Sequence, residues 1–352
     1  MNPVLRFSPG SRFGRLARYL AVRVLLVVPT VLFLVTVVFF LVRLSGDPIT
    51  AALGGRASPG DIARRKHEAG YDKPVYEQYW DFLKKLATGD FGTTSTDHQK
   101  VSEVLAQYAP ATFELAVWAM LVAVLVGLPL GRFAAARRDR FPDVVSRLAA
   151  ILVYAAPVFF VAILLKLVFS VWLGWLPNGG RSSTLVELEL ADLRPRTHIM
   201  IVDVLLSGDW SAVADVLKHA VLPALALGLM TAGVLFRLVR ANLIQTSQAG
   251  YVEAAKARGL PRRKVLGRHA LRNALIPVIT VMGMQTAAML GGAVLTENAF
   301  DWKGLGHALA DYLVKRDFEA VQGIVVFSVI VIALFSVLVD AVVALIDPRV
   351  RF

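Results

Sequence analysis

The chain has 352 residues, 56% hydrophobic and 18% charged, with no cysteine and a formal net charge of +12. Soluble domains run about 45–50% apolar and about 25% charged, so this chain lies outside that range on both counts. Composition also excludes a disordered chain and a disulfide scaffold. The positive charge points to nucleic acid only if the basic residues gather on one folded domain.

A membrane-crossing helix needs about 20 apolar residues. Six stretches of the sequence qualify. An N-terminal segment, 1–19, carries Arg6, Arg12, Arg15 and Arg18 and leads into a first span at 20–43. A cleaved leader would have an apolar core of about 7–15 residues. The run here extends from Val24 to Val42, so a retained helix is expected. The connection 44–111 is too long for a simple turn. Within it, Val75, Tyr79, Phe82, Leu83 and Leu86 have helical spacing over 74–86. Gly89-Asp90-Phe91-Gly92 ends that helix, and Val101–Tyr108 is a second short helical candidate.

The second span is expected at 112–131, with Gly127 and Gly131 four residues apart. Such spacing allows close helix contact, within the chain or with a partner. The third is expected at 148–173. The connection after it, 174–217, has Trp172, Trp175 and Trp210 near its ends, as an interfacial aromatic belt would. The fourth, fifth and sixth spans are expected at 219–239, 273–296 and 322–346. Ala287, Ala288, Gly291 and Gly292 form a small-residue stripe in the fifth. The sixth has one charge, Asp340, and a tail at 347–352 follows.

The charges sort by connection. Segments 1–23, 132–147, 237–272 and 347–352 hold 21 basic and 4 acidic residues. The other three connections hold 14 basic and 20 acidic. Basic residues stay cytoplasmic, so six spans with both termini inside are expected. This spread over alternate loops argues against nucleic acid. Glu114 and Lys166 fall near outer span ends, where snorkelling would suffice. Lys218 sits at the outer edge of the fourth span. Asp340 lies about two turns inside the membrane and needs a partner or a water-lined cavity; a structural pair and a functional role both stay open.

No GxxxxGK[ST] phosphate loop, HExxH or GxSxG motif occurs. His67, His98, His198, His219, His269 and His307 have no metal-ligand spacing. The expectation is a membrane protein with no catalytic residue, no metal site and no cofactor of its own, and so a transport or scaffold role.

The densest charge lies on 237–272, with nine basic residues against Glu253 alone. Its centre reads Tyr251-Val252-Glu253-Ala254-Ala255-Lys256-Ala257-Arg258-Gly259-Leu260-Pro261. The first part is rich in helix formers. Gly259 suits a left-handed helix end and Pro261 the first turn of another helix. Val252, Ala255 and Gly259 fall on one small, smooth face, which another protein's groove could receive. A basic amphipathic helix lying on anionic lipid is the alternative.

Glu253-Ala-Ala-x-x-x-Gly259 resembles the EAA motif of ABC importer permeases. Tyr251–Leu260 and His269-Ala-Leu-Arg-Asn-Ala-Leu-Ile-Pro277 resemble the dipeptide/oligopeptide permease family in particular. So do Gly89-Asp-Phe-Gly-Thr93, Leu173-Gly-Trp-Leu-Pro-Asn-Gly179, Arg316-Asp317-Phe and Asp347-Pro-Arg-Val-Arg351. The chain departs from that pattern at Lys303-Gly304-Leu-Gly306, where Pro-Gly-(Leu/Ile)-Gly is usual and a looser turn is expected. It departs also at Glu253, at Ala156-Pro157 and in its longer N-terminus.

The resemblance implies an all-α polytopic membrane protein with the six-helix type I importer (MetI-like) fold and a core permease domain at 112–346. It implies a bacterial inner-membrane location, a second homologous permease, one or two ABC ATPases and an extracytoplasmic peptide-binding lipoprotein. ATP and Mg would reside on the ATPases. The loop 240–272 would couple to them through Tyr251, Val252, Glu253, Ala254, Ala255, Gly259 and Pro261. Nickel or glutathione importers are related substrate classes. A secondary transporter is the rival reading, but it should show inverted repeats, and none is evident.

Overall fold

The computed structural model describes residues 12–44, 50, 58–193, 197–261 and 264–346. Arg6, Arg262, Arg263 and the tail at 347–352 lie outside them. The described residues are nearly all helical, and their one β pairing is an isolated bridge between Thr93 and Lys100.

Helix α1 spans Arg12–Leu44. Two short helices follow in the connection after it, α2 (Pro59–Ala69) and α3 (Val75–Ala87). The Ser58 side chain accepts from Asp61 N to start α2, and Gly70, at φ 74°, ends it in the left-handed region. α3 places Tyr79 and Phe82 on the Phe39 ring of α1, at 5.2 and 5.5 Å between centroids. The expected helix at 74–86 is therefore a lid packed on α1, stitched by Arg43 Nε donating to Gln78 Oε1 at 2.9 Å.

Helix α4 runs unbroken over Val101–Ala136. Val101–Tyr108 is thus its first two turns rather than a separate helix. Pro110 is carried inside it. The third expected span is not a straight helix. α5 (Phe141–Ala155) and α6 (Val158–Leu165), with its π-helical continuation Lys166–Trp172, meet at a 105° bend. Pro157 supplies no N–H and disfavours helical backbone at the residue before it, and Ala156 sits extended at ψ 134°.

The connection that follows holds α7 (Thr184–Leu193) and α8 (Met200–Ser207). α9 spans Trp210–Ser247 and is the most buried of the long helices. Next come α10 (Gly250–Ala257), a π turn at Val265–Ala270 and α11 (Leu271–Ala274). Then α12 (Ile276–Gly292), α13 (Val294–Ala299), α14 (Leu305–Val314) and α15 (Phe318–Ile346) complete the described fold. Among the described residues five helices are long and apolar enough to cross a membrane, and the bent α5–α6 pair makes a sixth candidate.

The centre of the molecule is α4 against α9. A Cβ on Gly127 would meet Ala232 O at 2.7 Å, and one on Gly131 would meet Phe236 O at 2.8 Å. The spacing seen in the sequence therefore serves packing within the chain. Gly228 of α9 is tighter still, with its absent Cβ facing Ala119 O. Gly228→Leu is expected to destabilise the protein by about 3 kcal/mol or more by forcing α4 and α9 apart. A thermal unfolding midpoint in detergent unchanged from wild type would contradict this.

Candidate functional site

The inner loop is built on α9 and braced from two sides. Asp143, fully buried at the start of α5, receives Arg240 Nε and Nη2 at 2.7 Å each. Paired parallel bonds of this kind fix geometry as well as charge. Asn242 Nδ2 donates to Ala274 O at 3.2 Å, tying α9 to α11.

Between these braces α10 has two faces. Val252 is completely buried and Ala255 is 8% exposed, packed with Leu243, Val265, Ala270 and Ala274. The small face proposed for contact with another protein is thus turned inward on this chain. Val252 and Ala255 hold the loop together and have no surface to offer. Tyr251, Glu253, Ala254, Ala257, Arg258 and Gly259 are exposed instead. Tyr251 is positioned by Asn273 Nδ2, which donates to its hydroxyl at 2.9 Å. Gly259 has φ 74°, the left-handed end expected of it. The Pro261 carbonyl accepts from Lys264 N at 2.9 Å and Val265 N at 3.1 Å, so the next helical segment starts there.

The opposite end of the α4–α9 pair has its own polar centre, which sequence reasoning passed over. Glu297, at the end of α13, has no exposed surface. Thr112 Oγ1 of α4 donates to its Oε1 at 2.6 Å, and His307 N donates to its Oε2 at 2.9 Å. Gly306 N also donates to it, and Leu305 N donates to Thr112 Oγ1 at 2.7 Å. The free N–H groups opening α14 are thus capped by two side chains from elsewhere in the fold. Burial pushes the Glu297 carboxyl above the usual carboxylate range.

Gly304 must be glycine here, because a Cβ would lie 2.5 Å from Glu297 Oε1. A Cβ on Gly306 would lie 2.6 Å from Val294 Cα. The Lys303-Gly304-Leu-Gly306 turn is therefore tight, not loose. Glu297, Thr112 and the opening turn of α14 thus form a latch, and the two glycines that follow Glu297 in the chain were the available signal for it. Two adjoining cavities of about 480 and 300 Å³ border it, and both are lined by Thr112, Leu290 and Leu305.

The charges expected within or at the ends of the spans also find partners. Glu114 is buried, not snorkelling; it accepts from Met200 N and Ile201 N, both at 3.1 Å, and from Arg181 Nη2. It thereby caps α8. Lys166 Nζ donates to Ala299 O at 2.9 Å. Asp340 pairs with Arg23 of α1 at 3.3 Å. Among the described residues no cluster of His, Asp or Glu could hold a metal ion.

Residues 127–352 match the family described as binding-protein-dependent transport system inner membrane component. Residues 16–116 match the N-terminal region of such membrane components. The chain is 37% identical over 335 residues to a di/tripeptide transport system permease protein of Pseudomonas aeruginosa, covering 95% of this chain and 98% of that one. It is 36% identical to the dipeptide transport system permease protein of Escherichia coli K12, covering 93% and 96%. It is 34% identical to a glutathione transport system permease protein of Pectobacterium atrosepticum, covering 95% and 99%. Together with its long apolar helices, these matches over nearly the whole length place the chain in the family of binding-protein-dependent transport system inner membrane components.

Proposed function

We propose that the chain is one permease of an ATP-driven importer of short peptides. The supporting observation is the near end-to-end similarity to permeases named for dipeptides and di/tripeptides. In this reading a second homologous permease completes the pathway and an extracytoplasmic lipoprotein delivers the peptide. One or two ATPase subunits bind ATP and Mg, while this chain binds neither. Both termini are cytoplasmic, since the basic connections are the ones retained inside.

The exposed face of α10, with Tyr251, Glu253, Ala254, Ala257 and Gly259, docks the ATPase. Its inward face, with Val252 and Ala255, passes that movement to α9 and α11. Asp143–Arg240 keeps α9 and α5 in step with it. A glutathione importer is the second reading, favoured by the relatives of that name. Both substrate classes are small peptides with a free carboxylate.

The test is uptake of a labelled dipeptide by the full complex, with glutathione as competitor. ATP-dependent dipeptide uptake that excess glutathione leaves intact is expected; uptake of glutathione alone would overturn the dipeptide reading. Because the chain has no cysteine, Thr93→Cys and Ala257→Cys report orientation directly. They are expected to label from opposite sides of the membrane.

A further inference from the structure

A cavity of about 600 Å³ is bordered by the last turn of α1, by α2 and α3, by the Asp90–Thr93 turn and by the first turns of α15. Small-molecule sites fall at about 300–1,000 Å³. The exposed charges around it satisfy one another. Lys73 Nζ lies 3.0 Å from Asp81, and Lys84 Nζ lies 3.8 Å from the same carboxylate. His67 Nδ1 lies 2.7 Å from Asp72.

Two charges deeper in the wall are not matched in this way. Arg43, in the last turn of α1, lays its guanidinium against two rings, 4.6 Å from the Phe39 centroid and 4.4 Å from that of Tyr71. Its Nε is held by Gln78, and its buried Nη1 has no hydrogen-bond partner. Glu319, in the first turn of α15, accepts from the Tyr71 hydroxyl at 2.7 Å and from Ser95 Oγ at 3.1 Å. Both residues are part-buried and both line the cavity. Among the described residues their side-chain hydrogen bonds go to neutral groups, and no ion pair joins either to an opposite charge. Tyr71 is the spacer, with the guanidinium on its ring and the carboxyl on its hydroxyl.

Taking an ion out of water without a counter-charge is costly. A ligand with an opposite charge at each end removes that cost at both places. The arginine fork matches a carboxylate with two parallel bonds, and the Glu319 carboxylate accepts from an ammonium. At about 3.5 Å per extended residue, the two terminal charges of a dipeptide stand about 7 Å apart.

We infer that this cavity binds a short peptide by its two ends, the terminal carboxylate on Arg43 and the terminal ammonium on Glu319. The permease then has a receiving site of its own, separate from the binding protein. The volume leaves room for the peptide side chains without fixing their identity. The choice of peptide as ligand rests on the import reading above.

The experiment uses the complete transporter without binding protein or ATP, with Thr93→Cys as the single thiol of this chain. Thr93 is exposed and lines the cavity. Alanyl-alanine is expected to protect that thiol from a maleimide. N-acetyl-alanyl-alanine and alanyl-alaninamide should each protect roughly tenfold more weakly, since each lacks one charged contact. Arg43→Gln should bind the peptide and its amide alike and still reject the acetylated form, and Glu319→Gln should do the reverse. Arg43→Lys should restore the preference for the free carboxylate. No protection by any of the three probes overturns the site, and so does equal protection by all three. Variants that weaken all three probes in parallel show a structural role only and overturn it too. ATP-dependent dipeptide uptake without such protection removes this site alone. Protection in a complex that imports no peptide when its binding protein and ATP are added removes the import reading and leaves the site standing.

Discussion

Ala254→Trp is expected to leave the protein inserted and folded while lowering peptide uptake by about thirtyfold, equivalent to about 2 kcal/mol of lost docking. The side chain is exposed on α10, so the indole has room in this chain and occupies only the surface proposed above to dock the ATPase. ATPase activity should then no longer respond to peptide-loaded binding protein. Ala255→Trp, one residue on, is expected to behave differently. Its Cβ is packed with Leu243, Val265 and Ala270, so the added bulk unfolds the loop. Its signature is a lowered unfolding midpoint and reduced membrane yield. The measurement is uptake, stimulated ATP hydrolysis and thermal stability on the same two preparations. Wild-type uptake by Ala254→Trp would remove this face of α10 from the coupling interface.

The second large effect is expected at Glu297. Glu297→Ala removes the acceptor for Gly306 N and His307 N and the partner of the Thr112 hydroxyl. Each buried donor left unpaired costs about 1–3 kcal/mol. Glu297→Gln should be much milder, because its carbonyl can accept from the backbone while its amide donates to Thr112. Both variants also lose the titrating carboxyl of the wild type. Burial raises the Glu297 carboxyl in the folded protein, so the folded state holds this proton more tightly than the unfolded chain does. The contribution to stability is therefore full below the ordinary carboxylate range, about 4.3, and declines as pH rises through the raised folded value. Glu297→Gln should flatten that part of the stability profile. An unfolding midpoint for Glu297→Gln with the same pH slope as wild type would show that the carboxyl does not titrate there.

The bordering cavities give the latch a place in transport. Thr112 and Leu305 belong both to the cap of α14 and to the walls of the two spaces. Any change in the shape of those spaces must move groups that hold α14 in register. The latch and the inner loop lie at opposite ends of the closely packed α4–α9 pair.

Much of this was legible in the primary structure, for reasons that differ from element to element. Apolar run length locates the long helices, because a bilayer demands about 20 such residues whatever their neighbours. Helical spacing in 74–86 located α3, and Gly259 and Pro261 located the break in the inner loop, because turns and helix ends are set by local backbone freedom. The Glu-Ala-Ala-x-x-x-Gly pattern marked the loop itself. Its two faces were not legible. Small residues at 252, 255 and 259 are equally compatible with a surface facing out or packed in, and only the presence of Leu243, Val265 and Ala270 beside Val252 and Ala255 decides between them.

The sequence alone thus determined composition class, the places of the long apolar segments, charge asymmetry and the identity of the inner loop. These depend on single segments and on solvent. Tertiary structure alone decided which partner each polar group takes. Glu114 looked like a snorkelling charge and is a helix cap, and Gly127 and Gly131 face α9 rather than another subunit. Glu297 looked like one more loop acid and is the buried hub of the outer latch. Its partners, Thr112 and His307, are 185 and 10 residues away in the chain. A contact across such separations leaves no local periodicity, so it exists only once α4, α13 and α14 have been brought together.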